Sequence, residues 1–147
     1  MYENKRKWCK MKHEEDNLLI ACVSWADGWF KKHFPVLCVK QYDKRGESRL
    51  VAPLVHVANE RATTPQAGAR LKRKGVRAGF PDLYLAAFYG HRRGLFIELK
   101  TKTGRLSKNQ AAWAEYLGNG YSCAGIKYRV CRSLDEFQTG VKEYMSE

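Results

Sequence analysis

Gly79-Phe80-Pro81-Asp82-Leu83-Tyr84-Leu85-Ala86-Ala87-Phe88 and, one short loop later, Leu95-Phe96-Ile97-Glu98-Leu99-Lys100 are two apolar runs, each with a carboxylate at or near its edge. Fifteen residues lie between Asp82 and Glu98. Side chains alternate between the faces of a strand, so Glu98 and Lys100 project to one side, about 6.6 Å apart along it, while Leu99 points into the core. A hairpin through Tyr89-Gly90-His91-Arg92-Arg93-Gly94 would make the Asp82 strand a neighbour, and two carboxylates and an ammonium would then converge. Oxygen donors of this kind suit Mg²⁺ or Mn²⁺, which keeps several waters and also binds phosphate oxygens. A lysine beside such an ion orients or deprotonates a water, or neutralises charge building on a phosphate. The plainer reading is that Asp82 caps a turn and Glu98 pairs with Lys100 on a solvated strand, since patterns this short are common. The flanking strand patterns and the charge balance favour the chemical reading.

Outward from this pair the charge is distinctive. The chain has 27 Lys and Arg against 15 Asp and Glu, a formal net charge of +12. Such an excess in a small protein attracts polyanions, with nucleic acid first among them and membrane surfaces as competitors. Arg70, Lys72, Arg73, Lys74 and Arg77 precede Asp82, and Lys100, Lys102, Arg105 and Lys108 follow Glu98. Both groups flank the candidate site; the bland alternative is a set of solvated faces that keep the protein in solution. At 147 residues the chain is expected to form one domain with a proper core. No apolar stretch is long enough to cross a bilayer, and Lys5, Arg6, Lys7, Lys10 and Lys12 leave no signal-peptide pattern near the start, so no membrane association and a cytoplasmic location are expected. Cys9, Cys22, Cys38, Cys123 and Cys131 are odd in number and include no CxxC, which indicates neither a disulfide framework nor a zinc ribbon. Cys9 and His13 share a helix face but are too few for a zinc site.

The remaining periodicities alternate between helix and strand. Leu18, Leu19, Cys22, Val23, Ala26 and Phe30 build one apolar face of a helix over roughly 9–30, within an N-terminal helical segment 1–31. Glu15 lies on or beside that buried face, as a partner for a core lysine or as a third carboxylate aimed at the site; Glu14 is the less favoured candidate. Val36 to Val39, Leu50-Val51 and Leu54 to Val57 look extended around a turn at Asp43-Lys44-Arg45-Gly46, with Pro53 marking a break or an edge. Thr64-Pro65 opens and Gly75 stops a short basic helix over 65–74. Ser107 and Gln110 form a capping box before a helix ending near Gly118, Gly125 to Cys131 is a strand, and Ser133 with Glu136 repeats the box before a last helix. The order predicts a mixed α/β fold.

The ordered set His56-Val57-Ala58-Asn59-Glu60, Gly75 to Leu83, Leu95 to Lys100, Leu106-Ser107-Lys108-Asn109-Gln110 and Gly120-Tyr121 with a closing helix resembles a VRR-NUC (virus-type replication-repair nuclease) domain of the PD-(D/E)xK superfamily, over about residues 56–145. Its stand-alone size is similar to that of bacteriophage members. The resemblance implies a restriction-endonuclease-like core with a central mixed β-sheet flanked by helices. It implies that Asp82 and Glu98 bind Mg²⁺ or Mn²⁺ with the Leu99 carbonyl, and that Lys100 serves the attacking water. Gln110 would face the lysine and help hold it, a role that competes with its place in the capping box. Glu15 would be the first-helix acid. Ala58 stands where the family commonly has proline, and residues 31–55 match nothing in the pattern. The expected activity is metal-dependent hydrolysis of DNA phosphodiesters in phage replication, repair or recombination, within the host cytoplasm. Selectivity would be for branched, flap or four-way (Holliday) junction DNA, with Arg70, Lys72, Arg73, Lys74, Arg77, Lys102, Arg105 and Lys108 on backbone phosphates. Symmetric cutting of a junction calls for a homodimer, for which Trp8, Trp25 and Trp29 are candidate contacts, core packing being the expected fate of at least some of them. The alternatives are a basic nucleic-acid-binding accessory protein without catalysis, and an adaptor that binds another protein.

Overall fold

The computed structural model describes residues 2–57, 64–118 and 125–146. The side chains of Trp8 and Cys9, and Ala58, Asn59, Glu60, Gly120, Tyr121 and Cys123, lie outside the described residues, with the expectations attached to them. Helix α1 (Tyr2–His33) extends the anticipated helix at both ends and buries Cys22, Ala26 and Phe30, with Leu18, Leu19 and Val23 packed alongside. The run from Val36 does not begin a strand. Pro35 fixes its own φ and has no N–H for a ladder, and Pro35–Leu37 folds as a 3₁₀ turn closed by the Leu37 N–H on the Phe34 carbonyl (3.0 Å).

Strands β1 (Val39–Tyr42) and β2 (Ser48–Val51) form an antiparallel ribbon of their own, its turn held by Asp43 Oδ1, which accepts from the Arg45 and Glu47 N–H groups (2.8 and 2.9 Å). At Ala52-Pro53 the chain leaves this ribbon. The Ala52 N–H donates to Asp27 Oδ1 (2.8 Å) and the Pro53 carbonyl accepts from Ala86 (2.7 Å), so the proline is the expected break. β3 (Leu54–His56) then becomes an edge of the main sheet. Helix α2 (Pro65–Arg73) starts on a Thr64 cap, whose Oγ1 accepts from Ala67 N–H (3.1 Å).

The main sheet is completed by β4 (Leu83–Leu85), β5 (Gly94–Leu99) and β6 (Ile126–Cys131), in the order β3-β4-β5-β6. The first two pairings are antiparallel and β5–β6 is parallel, with helix α3 (Lys108–Gly118) as the crossover and α4 (Leu134–Met145) closing the chain. This is the mixed α/β sheet flanked by helices that the sequence predicts.

Alternation divides the sheet in two. Leu83, Leu85, Leu95, Ile97, Leu99 and Cys131 face a core shared with Cys22, Ala26 and Phe30 of α1 and Phe137, Val141, Tyr144 and Met145 of α4. The intervening residues, Tyr84, Phe96 and Glu98, face α3. There Tyr84 stacks on Phe96 (4.6 Å), and Phe80 sits edge-on to both Phe96 and Trp113 (5.6 and 4.9 Å). Trp25 and Trp29, candidate dimer contacts from the sequence, are engaged within the chain. They stack on each other (5.3 Å), with Trp25 edge-on to Phe137 and Trp29 against Phe30 and Phe34, because large rings along the α1 stripe fill the space between α1 and α4.

β4 ends at Leu85, short of the run to Phe88. The buried hydroxyl of Tyr144 takes over from the ladder there: it donates to the Ala87 carbonyl (2.6 Å) and accepts from the Gly94 N–H (2.8 Å), pinning the two strands where they diverge.

Candidate active site

Leu83 pairs with Ile97, and continuing that antiparallel register by one residue sets Asp82 opposite Glu98, at the end of the hairpin away from Tyr144. The Leu99 N–H donates to Asp82 Oδ2 (2.8 Å), which fixes that carboxylate against β5. A residue's N–H and C=O leave an extended strand on the same side, so the Leu99 carbonyl also faces the Asp82 edge. Asp82 reaches this position through Gly79, whose φ of +81° is a conformation that favours glycine. A Cβ at Gly79 would meet the Asn109 carbonyl carbon and the Gln110 nitrogen at 2.5 Å, so the segment before Asp82 passes directly against the start of α3.

Glu98 is 2% exposed. Lys100, 12% exposed, places Nζ 3.4 Å from Glu98 Oε1, as the alternation of a strand requires. Gln110 performs two jobs at once. Its Oε1 accepts from the Ser107 N–H (2.8 Å) while Ser107 Oγ accepts from the Gln110 N–H (3.2 Å), which closes the capping box. Its Nε2 donates to Glu98 Oε1 (2.7 Å). The partner of Gln110 is therefore the glutamate and not the lysine, because an amide N–H has an acceptor to find in the carboxylate and none in an ammonium.

Four groups of the site feel one another's charge. Burial pushes Glu98 up to about 7, Asp82 adds to the rise, Lys100 pulls it back, and Glu15 contributes a further small increase. Burial also raises Asp82, against the Leu99 N–H, Lys100 and His56. Glu15 is half-buried and raised by burial first, with Lys100 and a hydrogen bond from the Thr101 backbone pulling it down and Asp82 pushing it up. Of the two first-helix acids, Glu15 is thus the one in electrostatic reach of Asp82 and Lys100. Glu14 is exposed on the rim of a cleft of about 290 Å³ lined also by Glu15, Leu18, Lys100, Thr101, Lys102, Thr103 and Arg132.

Three neighbours went unassigned at the sequence level. His56 comes within reach of Asp82 through β3–β4 pairing. Tyr128, paired with Phe96, is pushed up to about 12 by burial and then by the charges of Glu98 and Asp82. Arg132 donates to the carbonyls of Thr101 (2.8 Å) and Gly104 (2.6 Å), clamping the turn after Lys100. His56 was visible as the first residue of a motif; the other two are joined to the site only by tertiary contacts.

Among the basic residues, Arg70, Lys72, Arg73 and Lys74 are exposed on and just beyond α2, Lys102 and Arg105 are exposed between β5 and α3, and Lys108 is exposed at the start of α3. Arg77, also exposed, donates to the Lys72 carbonyl (3.1 Å) and so closes the end of α2 as well as carrying charge.

Among the described residues no group of three or more His, Cys, Asp or Glu forms a ready metal cage. The donor set nevertheless fits a hard divalent cation that keeps much of its water shell: two facing carboxylates, both raised above their ordinary values by burial, would be relieved by a bound positive ion. Asp82 Oδ2 and Glu98 Oε1 are held by protein donors, while among the described residues nothing donates to Asp82 Oδ1 or Glu98 Oε2.

A mixed sheet flanked by helices, with Asp82 and Glu98-Leu99-Lys100 at adjoining strand ends, defines a restriction-endonuclease-like α/β protein. The VRR-NUC domain profile matches residues 31–135, and the chain belongs to that family, a family of nucleases that act on DNA. A solved structure described as a VRR_NUC domain protein superposes with a TM-score of 0.61 over 90% of this chain and 88% of its own, at 21% identity, a likeness of fold. Among curated proteins no match is found. Among the described residues no helix is long and apolar enough to cross a membrane.

Proposed function

We propose that this protein is a Mg²⁺- or Mn²⁺-dependent DNA endonuclease with selectivity for branched, flap or four-way junction DNA. The observation that carries the reading is the convergence of Asp82, Glu98 and Lys100 on one edge of the hairpin, with the two acids raised above their ordinary values by burial. Asp82 and Glu98 would hold the ion, joined by the Leu99 carbonyl. When bound, the ion supplies an acidified water and polarisation of a phosphoryl oxygen. Gln110 and Lys100 both engage Oε1 of Glu98, so Oε2, to which nothing donates among the described residues, would be the oxygen available to hold an ion. Lys100, 3.4 Å from Glu98 Oε1, would orient the attacking water or balance the extra negative charge of the transition state. Glu15, in electrostatic reach of Lys100, would position that ammonium. The exposed basic residues of α2 and of the β5–α3 connection would bind backbone phosphates without reading sequence, so selection would rest on DNA shape.

The test is cleavage of labelled linear, flap, nicked and four-way substrates with Mg²⁺ or Mn²⁺, by the wild-type chain and by Asp82→Ala and Lys100→Ala. Cleavage that depends on the ion and falls at least about a hundredfold in either variant is the expected result. Salt-sensitive binding with no cleavage under any ion would instead identify a nucleic-acid-binding protein without catalysis. Paired symmetric cuts in a four-way junction would require two sites related by a two-fold axis, and hence a dimer on the substrate.

A further inference from the structure

Helix α3 carries an aromatic ledge that the cleavage chemistry leaves unused. Ala112, Trp113 and Tyr116 line an open depression of about 330 Å³. Trp113 is supported from below by Phe80, edge-on at 4.9 Å, and meets Tyr116 edge-on at 6.0 Å. Tyr116 remains 52% exposed. At 100° per residue, Asn109, Trp113, Tyr116 and Ala112 fall along one flank of the helix, the flank that Gly79-Phe80 passes on the way to Asp82. Gln110, one turn before Trp113, is the residue that holds Glu98. Exposed Arg105 and Lys108 lie at the head of α3, and exposed Arg77 just before Gly79.

Resting on the nuclease reading, we propose that this ledge stacks an unpaired base of the DNA substrate beside the scissile phosphate, so that a single-stranded segment next to the cut is the feature selected. Paired bases within a duplex already have both faces covered by their neighbours; an unpaired base offers a free π-face to an aromatic ring. The basic side chains around the ledge match the phosphates of the same strand. A second copy of this chain, itself at +12, would meet like charge there.

The experiment measures fluorescence anisotropy of a labelled oligothymidylate and of a duplex of equal length, in chelator so that nothing is cut. Tyr116→Ala is expected to weaken single-strand binding about tenfold and leave duplex binding within about twofold, while Tyr116→Phe, which keeps the ring, binds both as the wild type does. Unchanged single-strand binding in Tyr116→Ala, or equal losses on both probes, would overturn the proposal. Conversion of a dimer to a monomer by Tyr116→Ala in sedimentation would overturn it too, by assigning the ledge to self-association. Because the readout needs no cleavage, Glu98→Gln separates the two ideas: it should abolish cutting and keep full single-strand affinity. A wild-type chain that cuts no DNA but shows the Tyr116 pattern would sink the nuclease reading and leave the ledge.

Discussion

The two faces of the main sheet are made by the same strands and solve opposite problems. Toward α1 and α4, Leu83, Leu85, Leu95, Ile97 and Leu99 are almost fully buried among aliphatic and aromatic neighbours. Toward α3, the residues between them include Glu98, a carboxylate 2% exposed and raised to about 7. A buried carboxylate costs stability unless something compensates it, whereas each buried aliphatic side chain contributes roughly 1.5–3 kcal/mol. The apolar face therefore supplies the rigidity that keeps the acidic face in a geometry it would not hold alone. A strand buried on one side and charged on the other is a cheap way to present an acid with little freedom, since its neighbours along the chain are locked in the core.

The largest effect should come from the apolar face. Phe137→Ala, removing a fully buried ring between α4 and Trp25, is expected to cost about 3–5 kcal/mol in chemical denaturation and to lower activity only through loss of folded protein. Asp82→Ala and Lys100→Ala test the other face: single-turnover rates should fall at least about a hundredfold while the denaturation midpoint moves little. If either variant unfolded like Phe137→Ala, the division of labour between the faces would be wrong.

Glu98→Gln sharpens the contrast. The folded chain holds the Glu98 proton up to about pH 7, against 4.5 for the ordinary carboxyl, so the unfolded chain ionises first and stability falls as pH rises from about 4.5 through 7. Denaturation in chelator across this range should show Glu98→Gln more stable than the wild type above pH 7, on the order of 3 kcal/mol, and similar to it near pH 4. Added Mg²⁺ should stabilise the wild type most at the alkaline end. The same stability for both proteins at every pH would remove the argument that Glu98 is strained by its surroundings.

The smallest effect separates the two jobs of Gln110. Gln110→Glu keeps an acceptor for the Ser107 N–H but replaces the Nε2 donor to Glu98 with an oxygen. Activity should drop at least about tenfold, from the lost hydrogen bond to a charged group and the repulsion of a second carboxylate against Glu98, with the helix cap intact. An activity equal to that of the wild type would reduce Gln110 to a capping residue.

What the sequence disclosed was local. The Thr64-Pro65 helix start, the Ser133 cap and the break at Pro53 depend on residues a few positions apart, and the Asp82–Glu98 hairpin on two apolar runs joined by one short loop; the structure contains each. The Val36 run reads as extended from its hydrophobicity, yet the proline before it turns Pro35–Leu37 into a 3₁₀ turn. The Tyr144 hydroxyl reaches residues 50 and 57 positions away, and Arg132 reaches 28 and 31, separations at which spacing carries no signal. Gln110 was divided between two roles because a capping box can be read from four residues, whereas its second bond exists only once α3 lies over β5.

Tyr144 gives the hairpin an anchorage at the end remote from its acids, and the anchoring residue belongs to the last helix. Where β4 and β5 diverge beyond their ladder, a phenol of that helix bridges them, so the loop end of the hairpin depends on how α4 packs. Shortening α4 by its final turn, or tethering a bulky fusion against it, should detune hydrolysis from across the sheet, leaving every side chain of the reaction centre chemically untouched.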